Sequence, residues 1–214
     1  MTPAFNPTCR ACPRLSRHLA AVRREYPDYH ARPVPPFGDA RARLLIVGLA
    51  PGMHGANRTG RPFTGDYAGL LLYRTLHRYG FANQARGDDP NDGLRLIDCR
   101  ITNAVKCLPP ENKPLPDEVT RCNRYLAEEL RALAPGSIVL ALGAIAHRAV
   151  LKATGLKPGP YPFTHGGEHR LPQGAWLLDS YHCSRYNTQT GRLTERMFAA
   201  VVRRARRMVD AARV

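Results

Sequence analysis

Two polar stretches and two cysteine pairs hold the residue types from which chemistry could be built. The first stretch, Gly48 to Gly69, reads GLAPGMHGANRTGRPFTGDYAG. A strand-to-helix connection ordinarily needs about 2–6 residues, so roughly twenty rich in Gly, Asn, His, Arg and Thr mark a site. The second stretch, His182 to Arg192, reads HCSRYNTQTGR. An imidazole there can donate a proton or a hydrogen bond to developing negative charge, and Ser184, Arg185 and Thr188 can hold phosphate. Of the six cysteines, Cys9 with Cys12 and Cys107 with Cys122 fall in or beside loop-forming sequence. Cytosolic thiols are seldom paired as disulfides, which points to a shared metal. Four thiolates suit zinc or an iron-sulfur cluster. The wide separation of Cys107 and Cys122, unlike the second knuckle of a zinc module, tilts the reading to iron-sulfur. Cys99 and Cys183 read as small core fillers.

The elements that must position these groups follow from apolar periodicity. Leu44 to Val47 reads as a buried strand and Ala68 to Tyr79 as the helix after the long loop. Leu94 to Val105 reads as a second strand, and prolines 109, 110, 114 and 116 hold a loop open until a helix begins near Pro116 or Asp117. SIVLALG is a third strand, AIAHRAVLKATG a helix, and AWLLDSYH a fourth strand after a mixed loop, Leu156 to Gln173. Upstream, Leu15, Leu19 and Val22 recur at helical spacing, and the proline-rich ARPVPPFGD leads extended into the first strand. Thr190 to Val214 reads as a basic amphipathic helix carrying Arg192, Arg196, Arg203, Arg204, Arg206, Arg207 and Arg213. Strands alternating with helices imply an α/β fold, a three-layer αβα sandwich around a mostly parallel four-stranded sheet, expected as one domain over residues 1–214. Both polar stretches then emerge at the carboxyl ends of strands, where open α/β sheets bind their ligands.

Composition narrows the partner. At 43% apolar, 214 residues can bury one good core. The 32 basic and 17 acidic residues leave a net charge of +15, which attracts a polyanion; nucleic acid is the natural one. The sequence has no apolar run of about 18 residues and its first residues lack a signal-peptide core, so the expectation is a cytoplasmic protein without a membrane partner. No G-x-x-x-x-G-K-[ST] occurs, which argues against a P-loop phosphotransferase.

Taken together and in order, GLAPGMHGANRTGRPFTGD, ITNAVKCLPPENKPLP and HCSRYNTQTG resemble the uracil-DNA glycosylase superfamily, specifically family 5 (type B). The likeness runs from Cys9 to Gly191 and includes the four paired cysteines. It implies a [4Fe-4S] cluster held by Cys9, Cys12, Cys107 and Cys122. It also implies hydrolysis of the N-glycosidic bond of uracil, and of other deaminated or damaged bases such as hypoxanthine, in double-stranded DNA. The protein would act as a monomer, associated with the nucleoid if prokaryotic. The alternative class is a non-catalytic iron-sulfur protein that binds nucleic acid.

Cleaving such a bond leaves positive charge on the sugar and negative charge on the base, which must first be flipped out of the duplex. Under the resemblance Phe63 stacks on the flipped ring and the Asn103 amide reads its Watson-Crick edge. His182 donates to the base carbonyl, and amides around Ala50 to Gly52 add donors. Ser184, Arg185, Tyr186, Asn187 and Thr188 meet DNA, with the Arg185 to Gln189 segment filling the gap. One departure matters: family 4 has Glu directly after the first Gly of the motif, where this chain has Leu49. Asp66 is the substitute carboxylate, and it is also the expected N-cap of the following helix. His54, Asn57 and Arg58 order the loop or touch substrate.

Overall fold

The computed structural model describes residues 5–212. Four parallel strands, β2 (Leu44–Gly48), β3 (Cys99–Asn103), β4 (Ile138–Leu142) and β6 (Trp176–Ser180), lie in the order β3-β2-β4-β6. Two short antiparallel strands extend the sheet to six: β1 (Phe37–Gly38) beside β3 and β5 (Glu168–Arg170) beside β6. Neither edge strand is apparent in the sequence. The first spans two residues of the proline-rich connector, and the second, EHR, has no apolar alternation.

The central strands are near-continuous apolar runs because both faces are covered. Leu44, Ile46, Leu140 and Leu178 pack against helices α3 (Tyr67–Arg78) and α7 (Glu195–Ala211). Leu45, Val47, Val139, Ala141 and Leu177 pack against α4 (Pro116–Arg131) and α5 (Ala144–Ala153). Helix α1 (Pro13–Glu25) buries Leu15, Leu19 and Val22 beside the cysteines and Met53. Two short helices, α2 (Ala56–Thr59) and α6 (Arg185–Gln189), lie within the two polar stretches.

The second strand is shorter than the apolar pattern suggests. Leu96 forms only an isolated bridge with Ala82, and Asp98 adopts a left-handed φ of 49°, so the ladder begins at Cys99. Cys99 and Cys183 are fully buried core residues. Helix α7 starts at Thr194, whose hydroxyl accepts from Met197 N, and Val201 lies on its buried face. It runs from the carboxyl edge of the sheet to the amino edge, where Ala212 stands against Gly136 ahead of β4. Arg213 lies outside the described residues. Among the described residues no helix is long and apolar enough to cross a membrane.

Candidate active site

Strands β2 and β3 end side by side, with Gly48 paired to Asn103. A Cβ at Gly48 would collide with Asn103 Oδ1 and stand 2.9 Å from Phe63 Cζ. Only glycine lets the amide and the ring converge there. Phe63 is buried with φ at 55°, a region that a bulky L-residue occupies only when its surroundings enforce it. The enforcement is visible. Arg61 is buried, forms a two-pronged pair with Asp92 at 2.8 and 2.9 Å, donates to Thr64 Oγ1 at 2.6 Å and stacks over Phe37, while Tyr73 donates to the Pro62 carbonyl. The Arg61 guanidinium holds the Asp92 carboxyl down at about 2. The loop is therefore rigid, and α2 gives its middle a short helical turn. Arg58 donates to the His54 carbonyl, and Tyr29 meets His54 Nδ1 at 2.9 Å.

Phe63, Asp66, Asn103 and His182 line one open cleft of about 1020 Å³ counted to its mouth, with Ala50 and Gly52 on its wall. Leu49 lines it too, occupying with a hydrocarbon the position where family 4 has a carboxylate. The Asn103 side chain is nearly buried yet has no hydrogen-bond partner among the described residues, and both ring nitrogens of His182 are likewise unspent among them. The His182 ring stacks near Phe63 with centroids 6.0 Å apart and planes 27° from parallel. Burial drives the imidazole down to about 4, so it is neutral at pH 7 while part of it stays open to the cleft. A neutral imidazole can still donate one hydrogen bond.

Asp66 caps α3: Oδ1 accepts from Gly69 N at 2.9 Å, which starts the helix one residue ahead of the apolar pattern. Oδ2 faces the loop, where a Cβ on Gly55 would stand 2.6 Å away and one on Gly52 3.8 Å. Burial raises the carboxyl's pKa, against the pull of the Gly69 and Ala68 amides, and it has no cationic partner among the described residues. The cap thus uses one oxygen and leaves the other toward the cleft.

The second polar stretch spends more of its groups internally than its composition suggests. Ser184 caps α6 by accepting from Asn187 N, and the Thr188 hydroxyl donates back to the Ser184 and Arg185 carbonyls. The Asn187 amide donates to the His182 carbonyl at 2.8 Å, so it positions the histidine's backbone. Arg185 lies over the exposed Tyr67 ring, and Tyr186 stands 70% exposed at the tip.

The four paired cysteines converge although they come from separate segments. Cys9, Cys12, Cys107 and Cys122 line one small cavity with Leu15, Val105 and Tyr125. All are free thiols, and no three of their sulfurs lie within 4.8 Å of one another. That is wider than the roughly 3.8 Å that one tetrahedral zinc with bonds of about 2.3 Å imposes. Two donors already point at sulfur: Lys106 N to Cys122 at 3.3 Å and Arg124 to Cys9 at 3.6 Å. Burial pushes the Cys122 thiol up to about 11, and burial with the neighbouring thiols pushes Cys107 higher still. Burial also acts upward on Cys9, but Tyr125, the Ala11 amide and Arg124 outweigh it and the net shift is down. Lys106 itself is buried, bound to Thr102 Oγ1 and paired with Glu129 at 2.9 Å. Its isolated charge carried no pattern in the sequence. Asn112, with φ at 57° on the cleft's rim, was equally silent.

A sheet whose carboxyl edge holds a rigid motif loop, an unspent amide and a neutral histidine is the architecture of a base-binding hydrolase. The chain belongs to the uracil DNA glycosylase superfamily, whose family model matches residues 35–206. It is 48% identical over 205 residues to the type-5 uracil-DNA glycosylase of Thermus thermophilus, covering 94% of this chain and 93% of that one. It is 45% identical over 201 residues to the type-5 enzyme of Pyrobaculum aerophilum, covering 92% and 87%. The crystal structure of SMUG2 from Pedobacter heparinus shares the fold at a TM-score of 0.51 and 12% identity, covering 97% of this chain and 93% of that one.

Proposed function

We propose that this protein excises uracil from double-stranded DNA by hydrolysis, and starts base excision repair without cutting the strand itself. The observation that carries the reading is the unspent Asn103 amide, held nearly buried beside Phe63 and His182. The amide keeps its donor and acceptor open to the cleft, where a flipped base edge would take them up. Membership of the superfamily and the type-5 relatives support the same activity.

In this account Phe63 stacks on the flipped uracil while the Asn103 amide donates to and accepts from its Watson-Crick edge. As the glycosidic bond breaks, its electron pair leaves with the base. His182, neutral, donates to the carbonyl oxygen on which that charge collects, and backbone N–H groups of the Ala50 to Gly52 stretch add donors. Asp66 Oδ2 orients the water that attacks the sugar carbon and takes up its proton. The Arg185 to Gln189 segment, led by Tyr186, fills the space left in the duplex, and the free hydroxyl hydrogen of Ser184 serves a phosphate. The open cleft suits related lesions such as hypoxanthine as well.

Cys9, Cys12, Cys107 and Cys122 would hold a [4Fe-4S] cluster; the spread of the sulfurs and the N–H donors aimed at them support it. When bound it supplies a four-thiolate tie joining the start of α1, the loop after β3, and α4. We read the protein as a monomer that works in the cytoplasm on chromosomal DNA. Duplexes bearing uracil, hypoxanthine or thymine at one position, incubated with the brown, cluster-loaded protein, test the function. Alkali-labile sites should appear at uracil and hypoxanthine but not at thymine. Tight binding with no such sites would make it a non-catalytic binder. Metal analysis of anaerobically purified protein should return about four iron atoms per chain; stoichiometric zinc without iron would contradict the cluster.

A further inference from the structure

On the face of the sheet that carries α5, a second group of titratable side chains is assembled with no part in base release. Asp179, fully buried on β6, places Oδ1 2.9 Å from His147 Nδ1 on α5. Its Oδ2 has no hydrogen-bond partner and lies 3.7 Å from His169 Nε2 on β5. His147 Nε2 meets the Tyr161 carbonyl at 2.9 Å, and His169 Nε2 meets the Pro162 carbonyl at 3.1 Å.

The hydrogen-bond roles fix the chemistry. A carbonyl oxygen only accepts, so His147 Nε2 carries a proton, and the neutral ring then turns the lone pair of Nδ1 toward a carboxylate oxygen. Two lone pairs do not sit 2.9 Å apart unless a cation lies between or beside them. The candidates are a shared proton and a metal ion. An imidazole whose second nitrogen donates to a backbone carbonyl is the tautomer that metal-ligating histidines adopt. The His147 and His169 nitrogens and an Asp179 oxygen all lie within 4.8 Å of one another. Binding an ion at His169 Nε2 displaces the proton that this nitrogen gives the Pro162 carbonyl, and the contacts of 2.9 and 3.7 Å bracket the ligand-to-ligand edge of about 3.3 Å expected for zinc bonds near 2.0 Å.

We propose that His147, His169 and Asp179 form a site for one zinc-class divalent ion. Two imidazoles and a single carboxylate suit zinc and its neighbours and suit calcium or magnesium poorly. None of the three residues lines the cleft, so the ion is structural. It pins the segment from Tyr161 to Arg170, otherwise tied down by few side-chain bonds, to the edge of the sheet through β5. Entry is from the side of His169, which is partly open to solvent.

The test uses cluster-loaded protein dialysed against zinc, with zinc and iron measured together and thermal melting followed in both states. Wild type should retain one zinc per chain with iron unchanged, and zinc should raise its melting temperature. His169→Gln, the least buried ligand and the change least able to disturb the core, should keep its iron and fold. Its zinc affinity should fall at least about 10-fold, the smallest loss seen even for groups outside the ligand set. Asp179→Asn should abolish retention. No retained zinc in wild type, or equal retention by His169→Gln, would overturn the proposal and leave the three residues holding a shared proton.

Discussion

At the carboxyl edge of the sheet the Asn103 amide and the His182 ring nitrogens have no hydrogen-bond partner, and Asp66 no counter-ion, among the described residues. At the amino edge most polar groups are matched: Asp98 Oδ1 takes the Arg43 backbone N–H at 2.8 Å, and Arg206 pairs with Asp210 at 2.6 Å and stacks over Phe81 at 4.4 Å, while Arg43 Nη1 and Ser137 Oγ stay without a partner among the described residues. The arginines are mixed. On α7, Arg204 is spent on Glu168 and Arg206 on Asp210, while Arg196, Arg203 and Arg207 are exposed and make no ion pair among the described residues. Near α1, Arg10, Arg17 and Arg32 are exposed and make no ion pair among the described residues, and with Arg23 they line a groove of about 1080 Å³. That helix packs on Met53 of the motif loop, on the side of the cleft.

The sharpest way to break the contrast is to remove charge from the carboxyl edge while keeping its shape. Asp66→Asn preserves the cap but not the charge, so single-turnover cleavage of uracil should fall by roughly 10²–10⁴. Melting should stay level or rise, since Asn caps about as well and a buried charge disfavoured by its surroundings has gone. Asp66→Ala should cost about 0.5–2 kcal/mol of stability in addition. Cleavage by Asp66→Asn at nearly the wild-type rate would reduce Asp66 to a cap. Asn103→Ala should slow uracil release by about 10²–10³, the scale of one missing transition-state donor, with affinity for undamaged DNA kept. Equal loss of both would make Asn103 structural.

Phosphate binding gives a smaller effect. Changing Arg17, Arg23 and Arg32 to Ala should flatten the salt dependence of binding to undamaged duplex by about 0.9 for each phosphate no longer neutralised, whereas changing Arg203, Arg204, Arg206 and Arg207 should alter it less. The reverse ranking would move the footprint to α7. The smallest effect is on stability against pH. With His182 near 4 when folded and near 6.5 when unfolded, the unfolded chain takes up the proton first. That contribution is whole above about pH 6.5 and is lost as pH falls toward 4. His182→Gln should remove this part of the acid sensitivity; an unchanged acid limb would mean the ring is not desolvated.

Much of this edge was legible in the chain. The excess length of the first motif, the Asp66 cap and the α1 stripe of Leu15, Leu19 and Val22 are local signals, and local signals survive into the fold. Other features depend on approach between distant segments. Gly48 is needed because Asn103 and Phe63 meet there, β5 exists because Trp176 to Leu178 offers an open edge, and Asn112 reaches the cleft only through a left-handed turn. The ion pairs that α7 makes through Arg204 and Arg206 cannot be read from composition. His147, His169 and Asp179 are spread over α5, β5 and β6, so no spacing in the chain announces them.

The central claim is that the carboxyl-edge cleft hydrolyses a glycosidic bond. Its most direct measurement is the molar balance of free uracil against alkali-labile sites, in single-turnover reactions on a duplex with one uracil. The account predicts equal amounts of both, with no strand break before alkali. Duplex bound to completion with no free uracil would contradict it.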